Sequence, residues 1–177
     1  MKHYEIDVGT QLDKAQKLAG QAKTPMYVAV ENQFAGIIAV ADPIKSDSKL
    51  AIQRLQAQGM KVIMLTGDNS ATAKAVADEV GIAEYHAEVM PDDKLAHIAS
   101  LQMSGEIVGM TGDGINDAPA LAKANVGFAI GTGTDIAIES ADITLMRGSL
   151  HGLADAVAVS KATLRNIKQN LFFALIY

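Results

Sequence analysis

Two patterns of apolar and polar positions divide the chain. Residues 1–24 are polar and rich in Ala, Gln and Lys, with a short helix predicted over 13–21. Two runs of strand-forming residues follow, 26–30 and 34–40, around Glu31-Asn32-Gln33, and this arrangement predicts a hairpin. Ala41-Asp42-Pro43 interrupts the pattern, because proline lacks a backbone donor and restricts the residue before it. A domain boundary is placed there. From Ile44 onward, short apolar runs alternate with helical periodicities. Strands are predicted over 62–65, 107–110, 126–130 and 143–146. Helices are predicted over 46–58, 70–80, 91–103 and 117–123, with a helical turn at 136–139 and a long helix from Leu153. Gly59 and Gly81 end two of them, and Pro91 opens another with Asp92 and Asp93 in its first turn. Strands alternating with helices imply an α/β fold built on a parallel sheet.

Composition narrows the picture. A chain of 177 residues, 49% hydrophobic and 20% charged, has the make-up of an ordinary globular domain with a sizeable core and room for a small appendage. The net charge of −5 and the lack of Lys/Arg clusters argue against a nucleic-acid surface. The chain has no Cys, so it holds no disulfide and no thiolate metal site, which agrees with a reducing cytosol. The first residues carry no apolar signal core. No run approaches the ~20 apolar residues of a membrane span. The chain does end on an unbroken apolar run, residues 171–177. Composition alone leaves two readings of it: the end of a core helix or edge strand, or a membrane helix cut short.

In parallel α/β sheets, ligands bind beyond the C-terminal ends of the strands. Thr66-Gly67-Asp68-Asn69 follows one predicted strand, and Thr111-Gly112-Asp113-Gly114-Ile115-Asn116-Asp117 follows another. Glycine permits tight turns and lets backbone N–H groups approach an anion. A Thr hydroxyl can bond a phosphoryl oxygen, and carboxylates with an Asn amide are hard donors suited to Mg²⁺. Lys94, in the helix after Pro91, can bring positive charge to such a group. Together these parts suit phosphoryl transfer, which relies on positioning and charge neutralisation. Each part alone has a plainer reading. A lone Thr-Gly-Asp is ordinarily a turn with a helix cap, and a lone helical Lys a solvated charge. A calcium-binding EF-hand loop is excluded, because its twelfth position from Asp113 is Ala124 where a Glu is required.

The combination resembles a known family. Thr66-Gly67-Asp68, Pro91-Asp92-Asp93-Lys94 and Gly112-Asp113-Gly114-Ile115-Asn116-Asp117-Ala118-Pro119 look like three signatures of P-type ATPases, within the haloacid-dehalogenase superfamily, in the family's order. The resemblance runs over nearly the whole chain. It implies a haloacid-dehalogenase-like parallel sheet with flanking helices, lacking its central nucleophile strand and preceded by a short helix and hairpin. Residues 1–41 would end a nucleotide-binding domain, 42–150 would form the phosphorylation domain, and 151–177 a stalk helix and the start of a truncated transmembrane helix. By the same resemblance Asp113 and Asp117 would bind Mg²⁺, with Asn116 and Asp117 completing the loop around metal and phosphate, whose Gly112 and Gly114 approach the phosphate. Thr66 and Gly67 would hold phosphoryl oxygens, Asp68 would shape that loop, and Lys94 would neutralise charge.

Gly131-Thr132-Gly133-Thr134-Asp135-Ile136-Ala137 resembles the heavy-metal (P1B) branch, and residues 166–177 resemble copper(I) pumps, where a Tyr at the position of Tyr177 takes part in the intramembrane metal site. A plain aromatic in a membrane helix is the competing reading of Tyr177. The implied activity is ATP-driven copper(I) export at the cytosolic face of a membrane, with ATP, Mg²⁺ and Cu⁺ as ligands and the upstream part of the same ATPase as partner. The alternatives are a zinc or cadmium pump, a non-catalytic module binding Mg²⁺ or phosphate, and a soluble phosphatase. The last is disfavoured because no Asp-x-Asp nucleophile loop is found. The family's nucleophile string, Asp-Lys-Thr-Gly-Thr, and its Cys-Pro-Cys membrane motif are also absent from the chain. The chain alone is therefore expected to be inactive, and unstable or self-associating.

Overall fold

Thr24–Val30 (β1) and Gln33–Val40 (β2) form an antiparallel hairpin in which Val30 pairs with Gln33. The computed structural model describes Ile6 and residues 9–21, 23–41, 43–131 and 133–176. The hairpin turn is two residues, Glu31 and Asn32, with φ of 48° and 60°. Positive φ at both positions gives a turn whose twist matches the strands it joins. Gln33, expected in the turn, is the first residue of β2. Asp42, Thr132 and Tyr177, each singled out by sequence, lie outside the described residues.

The chain divides into two compact units, one drawn from the residues up to Ile52 with Lys61–Met90, the other from Gln53–Met60 with the residues from Pro91 onward. The first unit holds the hairpin, helix α1 (Leu12–Ala19) and a parallel pair, β3 (Ile63–Leu65) with β4 (Glu84–His86), linked by helix α3 (Ser70–Val80). Helix α3 begins and ends on capping residues. The Asn69 side chain accepts from Thr72 N, and Gly81 closes the helix in the left-handed conformation. Helix α2 (Ser48–Ala57) runs from the first unit's residues into the second's.

The second unit is built on a parallel sheet in the order β5 (Gly109–Gly112), β6 (Val126–Ile130), β7 (Ile143–Leu145). Its helices are α4 (Pro91–Met103), α5 (Ala118–Lys123), α6 (Asp135–Glu139) and α7 (His151–Ile176). One cluster of its core joins Ile98, Val108 and Ala120, packed by Leu101, Met110 and Ala124, and Leu121, Phe128 and Leu145 are also buried. Strand β5 starts two residues later than expected. Its ladder begins at Gly109 opposite Val126, while Ile107 is 86% exposed and Val108 N–H is taken by the Asn125 side chain. The apolar tail also resolves. Residues 171–176 continue α7 and are exposed, so they form neither a core helix end nor an edge strand. Among the described residues no helix is long and apolar enough to cross a membrane.

The expected parallel sheet is therefore present in two pieces. Parallel strands are normally enclosed, and a two-stranded pair is marginal alone. Here, among the described residues, β3 pairs only with β4 and β5 only with β6, which leaves open ladder edges that can template association. The isolated chain is expected to elute above monomer mass in size-exclusion chromatography with light scattering and to melt broadly. A monomer with a sharp, cooperative melt would contradict this.

Candidate functional site

The second unit presents a loop on the C-terminal end of β5. The strand ends at Gly112, a 3₁₀ turn covers Ile115–Asp117, and α5 starts at Ala118 with Pro119 in its first turn. Pro119 suits that position, where its missing donor is not needed. Asp117 is 8% exposed and folds back under the loop. One carboxylate oxygen, Oδ2, accepts from the backbone N–H groups of Asp113 and Gly114, both at 3.3 Å. The other, Oδ1, accepts from Lys94 Nζ at 2.7 Å. The pair is well shielded, with side-chain exposures of 17% for Lys94 and 11% for Asp117.

This geometry explains two glycines. A Cβ on Gly112 would sit 2.5 Å from the Cβ of Asp117, so only glycine lets the aspartate pack there. A Cβ on Gly133 would collide with the carbonyl oxygen of Asp113, which instead accepts from Thr134 N at 2.9 Å. The loop after β6 thus supports the Asp113 backbone from behind, and Thr134 also caps α6 through Ala137 N. The Asp113 side chain is exposed and takes no hydrogen bond or ion pair among the described residues. Asn116 is exposed two positions before α5.

The Thr66–Asn69 loop belongs to the first unit. Thr66 N donates to His86 O, Val89 N to Thr66 O, and Glu88 N to Asp68 O, which laces the loop to the segment after β4. The Thr66 hydroxyl accepts from Asp68 N and donates to Asp68 Oδ2, both at 3.1 Å. The other carboxylate oxygen, Oδ1, accepts from the Thr24 hydroxyl at 3.1 Å. Asp68 is thus held on both oxygens inside its own unit. Gly67 is exposed and its N–H has no partner among the described residues, so it can reach an anion. Thr66 can offer its hydroxyl to a phosphoryl oxygen only by releasing Asp68. The plainer reading of this segment is also present, since Asn69 is the cap of α3.

The site residues chosen from sequence therefore fall into two groups. Lys94, Gly112, Asp113, Gly114, Asn116 and Asp117 come together in one unit, and Thr66, Gly67 and Asp68 in the other. Sequence reasoning missed Thr24, 44 positions from Asp68, and the support given by Gly133 and Thr134. Among the described residues no cluster of three His, Cys, Asp or Glu side chains can hold a metal unaided. The donors present still suit Mg²⁺, which takes one or two carboxylates and completes its shell with water and phosphate oxygens. The open Asp113 carboxylate and the Asn116 amide answer that description, whereas both oxygens of Asp117 are already engaged.

Removing either half of the shielded pair strands the other charge. Lys94→Met and Asp117→Asn are each expected to lower stability by about 1–3 kcal/mol. Gly112→Ala is expected to cost a similar ~1–3 kcal/mol by overpacking. Chemical denaturation followed by circular dichroism checks this, and unchanged midpoints would show that the pair is slack.

Three comparisons show what the chain is similar to. Residues 2–125 match the haloacid dehalogenase-like hydrolase family. The whole chain is 53% identical to a copper-exporting P-type ATPase of Bacillus subtilis, covering 22% of that protein. It is 54% identical over 97% of its length to copper-transporting ATPase 2 of Rhizobium meliloti, covering 21% of it. The chain thus spans about a fifth of the length of these curated relatives. In structure it is similar to a zinc-transporting PIB-type ATPase in its E2.Pi state, with a TM-score of 0.80 and 37% identity, covering 97% of this chain and 28% of that one. With the matched segment spanning most of the chain and the loop after β5 in place, the chain belongs to the haloacid dehalogenase-like hydrolase family.

Proposed function

We propose that this chain forms the Mg²⁺- and phosphoryl-binding part of an ATP-driven copper(I) pump. The observation that carries the reading is the loop after β5, with Asp113 exposed above a locked Asp117–Lys94 pair, in a chain similar along its whole length to copper-exporting ATPases. In this reading residues 1–41 end the nucleotide-binding domain, 42–150 form the phosphorylation domain, and 151–177 enter the membrane from its cytosolic face. The separate sheet of the hairpin and the exposure of residues 161–176 support that division. The acceptor aspartate is supplied from outside residues 1–177, since no Asp-Lys-Thr-Gly-Thr string occurs in them.

Asp113, with Asn116, would hold Mg²⁺. When bound, the ion supplies charge neutralisation at the phosphoryl oxygens. The remaining steps belong to the chain's own groups. Gly67 N–H bonds a phosphoryl oxygen, and the Thr66 hydroxyl does the same once its proton leaves the Asp68 carboxylate, its oxygen still held by Asp68 N–H. The Lys94 ammonium faces developing negative charge while Asp117 keeps it in place. Copper is the cargo, and Tyr177 is assigned to its intramembrane site. A zinc pump is the second reading, favoured by the structural likeness to a zinc-transporting ATPase.

A direct test replaces the matched segment of the Bacillus subtilis copper-exporting ATPase with this chain. Membranes carrying the assembled pump are exposed to radiolabelled ATP. Copper(I)-stimulated, acid-stable phosphorylation is expected, with Asp113→Ala lowering it by roughly 100-fold or more, the loss typical when a charge-stabilising group leaves a reaction centre. Full phosphorylation by Asp113→Ala would refute the Mg²⁺ assignment. Stimulation by Zn²⁺ instead of Cu⁺ would replace the copper reading with the zinc one.

A further inference from the structure

We infer that Arg54 and Gln58 are positioning residues that set the direction in which α7 projects from the sheet of its own unit. The inference rests on the pump reading above, since it concerns how phosphoryl chemistry reaches the transported ion.

Arg54 lies in the last turn of α2 and Gln58 just past its end, where Gln58 N still donates to Arg54 O, so the two share a face. Both reach α7. Arg54 Nη2 donates to Asp155 Oδ1 at 2.6 Å, and its other terminal nitrogen, Nη1, lies 3.0 Å from His151 Nδ1. A guanidinium only donates, so Nδ1 accepts and the ring proton sits on Nε2. Gln58 Nε2 donates to the carbonyl of Ala154 at 3.2 Å. In return, Lys161 on α7 donates to the carbonyl of Gln58 at 2.9 Å. That carbonyl stands at the C-terminus of α2, where unpaired acceptors and the negative dipole end favour a cation.

Four hydrogen bonds thus grip α7 at three heights, at His151, at Ala154 with Asp155, and at Lys161. Every described residue of α7 beyond Val157 is exposed, so this is the last hold on the helix. The Arg54–Asp155 pair is 44% and 62% exposed, and a pair so open adds little stability. Its geometry, however, fixes rotation and tilt, because two donors of one planar group meet two acceptors a helical turn apart. Gln58 Oε1 is buried with no hydrogen-bond partner among the described residues. That cost is tolerated where the amide nitrogen has a fixed task at Ala154.

The test uses the assembled pump, in which copper transport into vesicles is divided by phosphoenzyme turnover. Arg54→Ala is expected to leave phosphorylation within about twofold and to lower this ratio by about 10-fold, the size of a typical coupling between sites. The charge swap Arg54→Asp with Asp155→Arg is expected to restore most of the ratio. Spin labels at Ala57 and Ala162 are expected to give a narrow distance distribution that broadens in Arg54→Ala. An unchanged ratio in Arg54→Ala overturns the inference, and so does a parallel fall of transport and phosphorylation or an unchanged spin-label distribution. Failure of the copper-pump reading shows separately, as missing phosphorylation in the pump without substitutions.

Discussion

The carboxylate of Asp117 is the interaction on which the site depends. With one oxygen it fixes the backbone of Asp113 and Gly114, and with the other it anchors Lys94. It reaches this place only because Gly112 offers no side chain. A buried carboxylate is costly unless its oxygens are satisfied, and here three donors satisfy them. The consequence is a division of labour between two acids four residues apart. Asp117 is consumed by structure, which leaves Asp113 open and its backbone rigid. Any ligand of the open Asp113 carboxylate would meet a backbone already held in place.

The other loop follows the same logic with neutral donors. Thr66 and Thr24 hold Asp68 by hydroxyls, and backbone bonds tie the loop to the segment after β4. Glu88 in that segment sits at φ 57°, a conformation uncommon outside glycine, and its N–H donates to Asp68 O. Each loop is supported by contacts inside its own unit. The two loops follow β3 and β5, which belong to separate sheets and, among the described residues, each keep an open edge.

Much of this was legible in the sequence. The alternation of apolar runs and helical periodicities marked the α/β fold, and the glycine–carboxylate strings marked both loops. The rest was hidden for identifiable reasons. Strand β4 is Glu84-Tyr85-His86, with no apolar run to announce it, and it exists because β3 offers a ladder edge. The frame of β5 is set by β6, so Thr111 and Gly112 belong to the strand and not to the loop after it. Lys94 and Asp117 were each chosen, but a contact between residues 23 apart has no local signature. Thr24 and the polar grip on α7 were missed for the same reason. Residues such as Arg54 and Asp155 read as ordinary surface charges until the chain folds.

The most direct measurement is a Mn²⁺ titration of the isotope-labelled chain, with Mn²⁺ standing in for Mg²⁺, followed by amide relaxation. Broadening centred on Asp113, Gly114 and Asn116 at the lowest Mn²⁺ additions is the expected result, because Asp113 holds the open carboxylate of a rigid loop. Broadening centred on Asp92 and Asp93, or spread evenly over the surface acids, would contradict the assignment of the loop after β5 as the cation site.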